Sequence, residues 1–204
     1  MEKIDFKKTM KALYQPPAGR FSLVEVPRLL FAMVDGQGDP NVAPAYANAV
    51  QWLYSVSYTL KFMSKKELAR DHAVPPLEGL WWADDMDSFL TRDKAAWSWT
   101  MMIPQPDWIT PAMFQAALEK AAKKLGDAPE SLRLEEYAEG LSVQILHIGS
   151  YDDEGPVLRR LHAEYLPENG LTETGHHHEI YLSDPRKTAP EKLKTILRQP
   201  VRRL

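Results

Sequence analysis

Twice along this chain a strand-length apolar run stops at an acidic turn rich in glycine and proline and gives way to a helical pattern. Leu29-Leu30-Phe31-Ala32-Met33-Val34 runs into Asp35-Gly36-Gln37-Gly38-Asp39-Pro40, and a helix reads from Pro44 to about Arg70. Leu141 to Ile148 runs into Gly149-Ser150-Tyr151-Asp152-Asp153-Glu154-Gly155-Pro156, and a second helix reads through Tyr165. Short apolar runs bounded by Gly and Pro suit buried strands, because those two residues end a regular backbone most sharply. In each half further strand follows the helix. The pattern predicts an α+β fold: one domain over residues 1–204, built as two strand–helix–strand modules at approximately 20–125 and 130–204. Ligand sites favour the cleft between such units.

The remaining elements fit between these landmarks. Residues 1–20 read as a polar arm, and Leu23–Val26 as a short strand stopped by Pro27. On the long helix, Tyr46, Val50, Leu53 and Leu60 share one face, and Trp52, Val56, Thr59 and Met63 form a neighbouring stripe. Tyr54, Tyr58 and Lys61 form a third, amphipathic stripe. Leu80–Ala83 reads as a strand. Trp97, Trp99, Met101 and Ile103 alternate with smaller or polar residues in another, which Pro104-Gln105-Pro106 should end. Cross-strand aromatic pairing would make Trp81 or Trp82, Trp97 and Trp99 a good core or a platform for a flat ligand. Thr110-Pro111 starts a helix as N-cap and first residue, and Leu125-Gly126 closes it. Leu132–Tyr137 reads as a strand turned by Ala138-Glu139-Gly140. The last run, Pro190 to Val201, reads as a short helix turning into a strand.

Composition excludes several classes. The 204 residues carry a formal net charge of −3, which argues against a nucleic-acid binder with its usual basic face. Arg198, Arg202 and Arg203 read as a solvated tail. The absence of cysteine rules out disulfides, thiolate metal sites and cysteine nucleophiles. No apolar run approaches the roughly 20 residues of a membrane span, and the N-terminus has no signal-peptide core. A cytoplasmic protein with a small-molecule partner, without nucleic-acid or membrane partners, is the expectation; oligomeric state is open. The Asp35–Pro40 glycines lack the Lys-Ser/Thr ending of a phosphate loop. Asp84-Asp85-Met86-Asp87 lacks the glycine and distal glutamate of a calcium loop. No cofactor is expected.

The stretch with most chemistry is His176-His177-His178-Glu179-Ile180-Tyr181-Leu182. Successive strand side chains alternate faces, so His177, Glu179 and Tyr181 share one face, and His178, Ile180 and Leu182 the other. The first face puts a carboxylate between an imidazole and a phenol. Adjacent strand histidines diverge, so the triple predicts no native metal site. A carboxylate desolvated among aromatics should have a raised pKa, which would suit general acid–base work.

Together, Asp35–Asn41, Tyr54–Phe62, Gly149–Glu154, His177–Arg186 and Lys192–Val201 resemble stand-alone GyrI-like small-molecule-binding proteins, over about residues 10–201. The resemblance implies two strand–helix–strand–strand modules related by a pseudo-twofold, with the ligand in the cleft between them. Relatives fused to DNA-binding helices are multidrug-sensing regulators, where aromatics and a buried carboxylate hold flat, often cationic, drugs. Only about 20 residues precede the first strand here, which departs from the regulators and puts transcriptional control in doubt. Some stand-alone members are hydrolases that open the cyclopropane of DNA-alkylating antibiotics.

By position Glu179 matches the family's pocket carboxylate. The expected ligand-binding set is then Glu179, Tyr181, Tyr151, His177, Trp81, Trp97, Trp99, Tyr54 and Tyr58. For His177 a strand-entry surface position competes with this role. The alternative, a hydrolase of a strained cyclopropyl dienone, would use Glu179 on water and Tyr151 or Tyr181 on the carbonyl that gathers charge. No Gly-x-Ser-x-Gly or His-Glu-x-x-His motif competes. An interaction module without a small-molecule ligand is the third reading.

Overall fold

The computed structural model describes residues 3–84 and 93–204. Asp85, Met86 and Asp87 of the acidic turn lie outside the described residues. The chain is mixed α+β and divides into two compact units: Met1–Thr9 with Leu29–Tyr137, and Met10–Arg28 with Ala138–Leu204.

The first unit opens on β1 (Lys3–Ile4) and α1 (Phe6–Thr9). The second begins with α2 (Lys11–Tyr14). Strand β2 (Ser22–Gln37) runs from the second unit into the first. It passes through Pro27 rather than stopping there. Proline's fixed φ fits extended backbone, and Pro27 is exposed and lies before the ladder that β2 forms from Leu30 onward.

In the first unit β2 is followed by α3 (Pro44–Glu67), β3 (Asp71–His72), β4 (Leu77–Trp82), β5 (Ser98–Gln105) and α4 (Pro111–Leu125). β5 lies between β2 and β4, antiparallel to both. Pro104 lies within β5, opposite Phe31, so the strand runs on to Gln105. The helix α3 is aromatic because more than one side is covered: Trp52, Leu53, Val56 and Leu60 are completely buried. Each such side chain contributes roughly 1.5–3 kcal/mol of transfer free energy. Thr110 caps α4 as its composition predicts, its Oγ1 accepting from the Met113 amide at 3.2 Å. Phe31, Met33, Leu80 and Met102 form one cluster of the sheet, with Tyr137 and Trp82 against it.

In the second unit the strand-forming part of β6 (Arg133–Ile148) is followed by α5 (Glu154–Arg160), a π-helical turn (Leu161–Tyr165), α6 (Leu166–Glu168), β7 (Leu171–Glu173), β8 (His177–Tyr181) and β9 (Lys194–Arg203). The expected turn at Ala138-Glu139-Gly140 does not form. Gly140 takes φ +76°, which kinks the strand without ending it. β9 lies between β6 and β8 and also pairs with β7 near its end. Val143, Leu161, Leu166, Leu171 and Val201 form the core here, with the Phe21 ring tilted against Tyr165 at 4.9 Å between centroids.

The C-terminal arginines are not all a solvated tail. Arg198 lies inside β9, only 2% exposed. It pairs with Glu139 at 3.1 Å, donates to the Leu13 carbonyl at 2.8 Å and meets Gln144 Oε1 at 3.1 Å. His178 stands opposite it in the ladder and meets the other Glu139 oxygen at 2.8 Å. Buried charge survives because each partner is paired and hydrogen-bonded.

Among the described residues no helix is long and apolar enough to cross a membrane.

Candidate functional site

Strand β8 divides its side chains as the alternation requires. His178 and Ile180 face inward, 1% and 0% exposed. On the other face His177, Glu179 and Tyr181 are each half-buried. Leu197 and Thr195, the β9 partners of Glu179 and Tyr181, are buried beside them on the same face of the sheet.

Glu179 is the hub. Its Oε2 accepts the Tyr181 hydroxyl at 2.7 Å. Its Oε1 lies 3.3 Å from His177 Nε2. That nitrogen makes no well-directed hydrogen bond. Glu154, the first residue of α5, is buried, and it is one of the groups that lower the Glu179 pKa. Tyr151 comes from the turn just before α5, and its ring meets Tyr181 edge-on, 5.9 Å between centroids. Sequence reasoning brought Glu179, Tyr181, His177 and Tyr151 to this place. It missed Glu154, although the spacing from Tyr151, one helical turn, puts both at the same end of α5.

The electrostatics differ from the sequence expectation. Burial pushes the Glu179 carboxyl up, as expected of a desolvated acid. His177, Tyr181 and Glu154 outweigh burial, and the net shift is downward from the ordinary value. The expectation counted desolvation and omitted the donors. Tyr151 moves the other way, to about 12, first through burial and then through the negative charges of Glu154, Glu179 and Asp184. At neutral pH the site thus combines an ionised carboxylate with a phenol that keeps its proton.

Beyond His177 the pattern continues. His162, in the π-helical turn, meets Glu173 at 2.8 Å. Its pKa is lowered, mainly by burial and also by His177. Burial lowers His176 as well. Among the described residues no group of three His, Asp or Glu side chains is arranged to hold a metal ion.

The aromatic residues singled out in the first unit form two sets. Trp81 stands opposite Trp99 in the β4–β5 ladder. Trp99 is fully buried, and its ring lies flat against Gly36, where a Cβ would come within 2.1 Å of it. Trp81 is 6% exposed and meets Trp97 edge-on at 6.0 Å and Tyr46 at 6.2 Å. Lys94 lies over the Trp97 ring. On α3, Tyr54 and Tyr58 stack at 6.5 Å, and Tyr58 is 48% exposed.

The sequence matches the model of the GyrI-like small molecule binding domain over residues 20–202. A crystal structure of an uncharacterized conserved protein from Listeria innocua superposes with a TM-score of 0.89 at 43% identity, covering 98% of this chain and 100% of that one. A crystal structure of a hydrolase from Listeria innocua gives 0.85 and 41%, with the same coverage of 98% and 100%. The EcmrR C-terminal domain shares the fold with a TM-score of 0.56 at 11% identity, covering 91% of this chain and 98% of that one. A comparison with curated proteins gave no match. The domain match extends across both units and includes β2, Tyr151 and the whole of β8, so the chain belongs to the GyrI-like family of small-molecule-binding domains.

Proposed function

We propose that this protein binds flat, hydrophobic or cationic aromatic small molecules, with Glu179 as the anionic pole of the site. The observation that carries this reading is the state of Glu179: a carboxylate largely withdrawn from water, held by the Tyr181 hydroxyl at 2.7 Å and shifted toward its ionised form. A poorly hydrated, delocalised cation loses little by leaving water and gains a strong partner there. A compact, strongly hydrated ion loses more. The Tyr151 and Tyr181 rings offer aromatic surface beside the charge. Within the first unit, Tyr54, Tyr58, Trp81 and Trp97 are proposed as an aromatic contact surface of its own, with Trp99 supporting Trp81 from its buried position. His177 is proposed to tune Glu179 and contact ligand.

Titration with a rhodamine-type cationic dye, followed by fluorescence, tests this. Saturable binding that weakens in Glu179→Gln supports it. Equal affinity of the two proteins sinks the role given to Glu179.

A second reading is a hydrolase, favoured by the Listeria innocua relative described as one at 41% identity. On a cyclopropyl dienone, Glu179 would take a proton as water attacks the ring carbon. The C–C bond breaks, its electron pair flows to the dienone carbonyl, and the product is a phenol carrying a new hydroxyl group. Tyr151, which keeps its proton up to about pH 12, or Tyr181 would hydrogen-bond the oxygen that gathers charge. Mass spectrometry of a cyclopropyl-dienone alkylator incubated with the protein decides it. Water addition that stops in Glu179→Gln supports turnover, and unchanged alkylator with wild type rejects it.

A further inference from the structure

We infer that His147 is a positioning residue for Tyr151: it latches the turn between β6 and α5 so that the Tyr151 ring rests on Tyr181, beside Glu179. The inference rests on the proposed role of Tyr151 in the site.

The register of the sheet brings His147 to the site although it lies two strands from β8. His147 on β6 and Tyr181 on β8 both stand opposite Thr195 on β9. Side chains directly opposite share a face. His147, Thr195 and Tyr181 therefore form one row, on the face that carries Glu179. The chain leaves β6 at Ile148, and the Tyr151 ring meets Tyr181 edge-on at 5.9 Å. The turn and its tyrosine thus reach across β9, a span of about 10 Å from β6 to β8. A turn free to move would carry the ring off this contact.

Ser150, the residue before Tyr151, is held in place. His147 Nε2 lies 3.0 Å from the Ser150 carbonyl oxygen. A carbonyl only accepts, so the imidazole donates from Nε2. The same oxygen accepts the Asp153 amide at 3.1 Å, and the Ser150 hydroxyl donates to Asp153 Oδ2 at 2.6 Å. Those two bonds stay within the turn, whereas the imidazole ties Ser150 to the sheet. His147 is 7% exposed, so little water reaches the bond to compete with it.

Gly149 fits the same reading. Its φ of +149° lies where side chains are disfavoured, and a Cβ there would come within 3.1 Å of His147 Nε2. The backbone passes close to the imidazole, and glycine permits the approach. The Gly149 amide donates to the Leu193 carbonyl at 3.0 Å, which fixes where the turn begins.

Fluorine NMR of the full chain labelled with fluorotyrosine tests the latch without a ligand. Tyr151→Phe and Tyr181→Phe assign the two resonances. His147→Leu removes the donor, and His147→Gln keeps an N–H at a similar reach. Both resonances should move in His147→Leu and return toward their wild-type positions in His147→Gln, while those of Tyr54 and Tyr58 in the first unit stay. An unmoved Tyr151 resonance in His147→Leu, or the same displacement in both variants, overturns the inference. Gly149→Ala presses on the imidazole from the backbone and should displace the same two resonances; an unchanged spectrum overturns the inference even where His147→Leu does not fold. In binding, His147→Leu should weaken the cationic dye about fivefold, the order expected for one hydrogen bond, and add nothing in a Tyr151→Ala background. Equal losses in both backgrounds overturn it as well. The two claims fail separately. Displaced and rescued resonances without dye binding reject the proposed function alone. Dye binding that needs Glu179, with the resonances unmoved, rejects the latch alone.

Discussion

The Tyr181 hydroxyl donates to Glu179 Oε2 at 2.7 Å, so two residues two apart on one strand face form a bonded pair instead of standing independently. The pair explains how a half-buried carboxylate stays ionised. It also makes Tyr181 the simplest lever on the site.

Replacing Tyr181 with Phe removes the donor and keeps the ring. Hydrogen bonds to charged groups contribute roughly 1.5–3 kcal/mol. Since Tyr181 helps to lower the Glu179 pKa, its loss must raise it. Cationic dye should then be released at a higher pH in Tyr181→Phe than in wild type as the solution is acidified. A release midpoint at the same or lower pH would contradict the assignment.

Gly36 and Trp99 make a steric prediction. A Cβ on residue 36 would lie 2.1 Å from the fully buried Trp99 ring, so the ring or strand β2 must move. Gly36→Ala should destabilise the fold by about 1–3 kcal/mol, the usual cost of overpacking. Denaturant unfolding measures it. Stability within error of wild type would show that the indole has room to shift.

The Glu139–His178–Arg198 cluster predicts a larger loss. Arg198→Met leaves Glu139 buried beside His178 without its guanidinium. Breaking a buried pair from one side costs about 3–5 kcal/mol. Replacing both partners, Arg198→Met with Glu139→Leu, should recover part of that. If the double variant is less stable than Arg198→Met, the cost does not come from the stranded charge.

His72 predicts acid sensitivity. It is completely buried, neither ring nitrogen has a hydrogen-bond partner, and burial, with help from the Lys61 charge, lowers its pKa from 6.5 to about 4. The unfolded chain binds the proton near 6.5 and the folded chain resists it. Stability is therefore full above about pH 6.5 and falls as pH drops toward 4, by roughly 3 kcal/mol in all. His72→Met should flatten that slope in denaturant unfolding across the same window. An unchanged slope would place the acid sensitivity elsewhere.

Much of this was legible in the sequence because it depends on local periodicity. The alternation His177–Glu179–Tyr181 against His178–Ile180, the Thr110 cap and the Pro44–Glu67 helix follow from spacing alone. Where the reading failed, partners distant in sequence decide the outcome. Pro27 and Gly140 look like strand ends, yet extended φ at one and a kink at the other let β2 and β6 continue. Arg198 looks like part of a basic tail until Glu139 and Leu13, remote in the chain, are seen to pair with it. The direction of the Glu179 shift likewise turns on Tyr181, His177 and Glu154 together, and burial alone gives the opposite sign.

The central claim is that Glu179 supplies the charge that holds a cationic aromatic ligand. Calorimetric titration of a rhodamine-type cation into wild type and Glu179→Gln at neutral pH tests it most directly. The account predicts saturable binding to wild type and at least about tenfold weaker binding to the glutamine variant, the equivalent of 1.4 kcal/mol or more. Equal dissociation constants for the two proteins would contradict it.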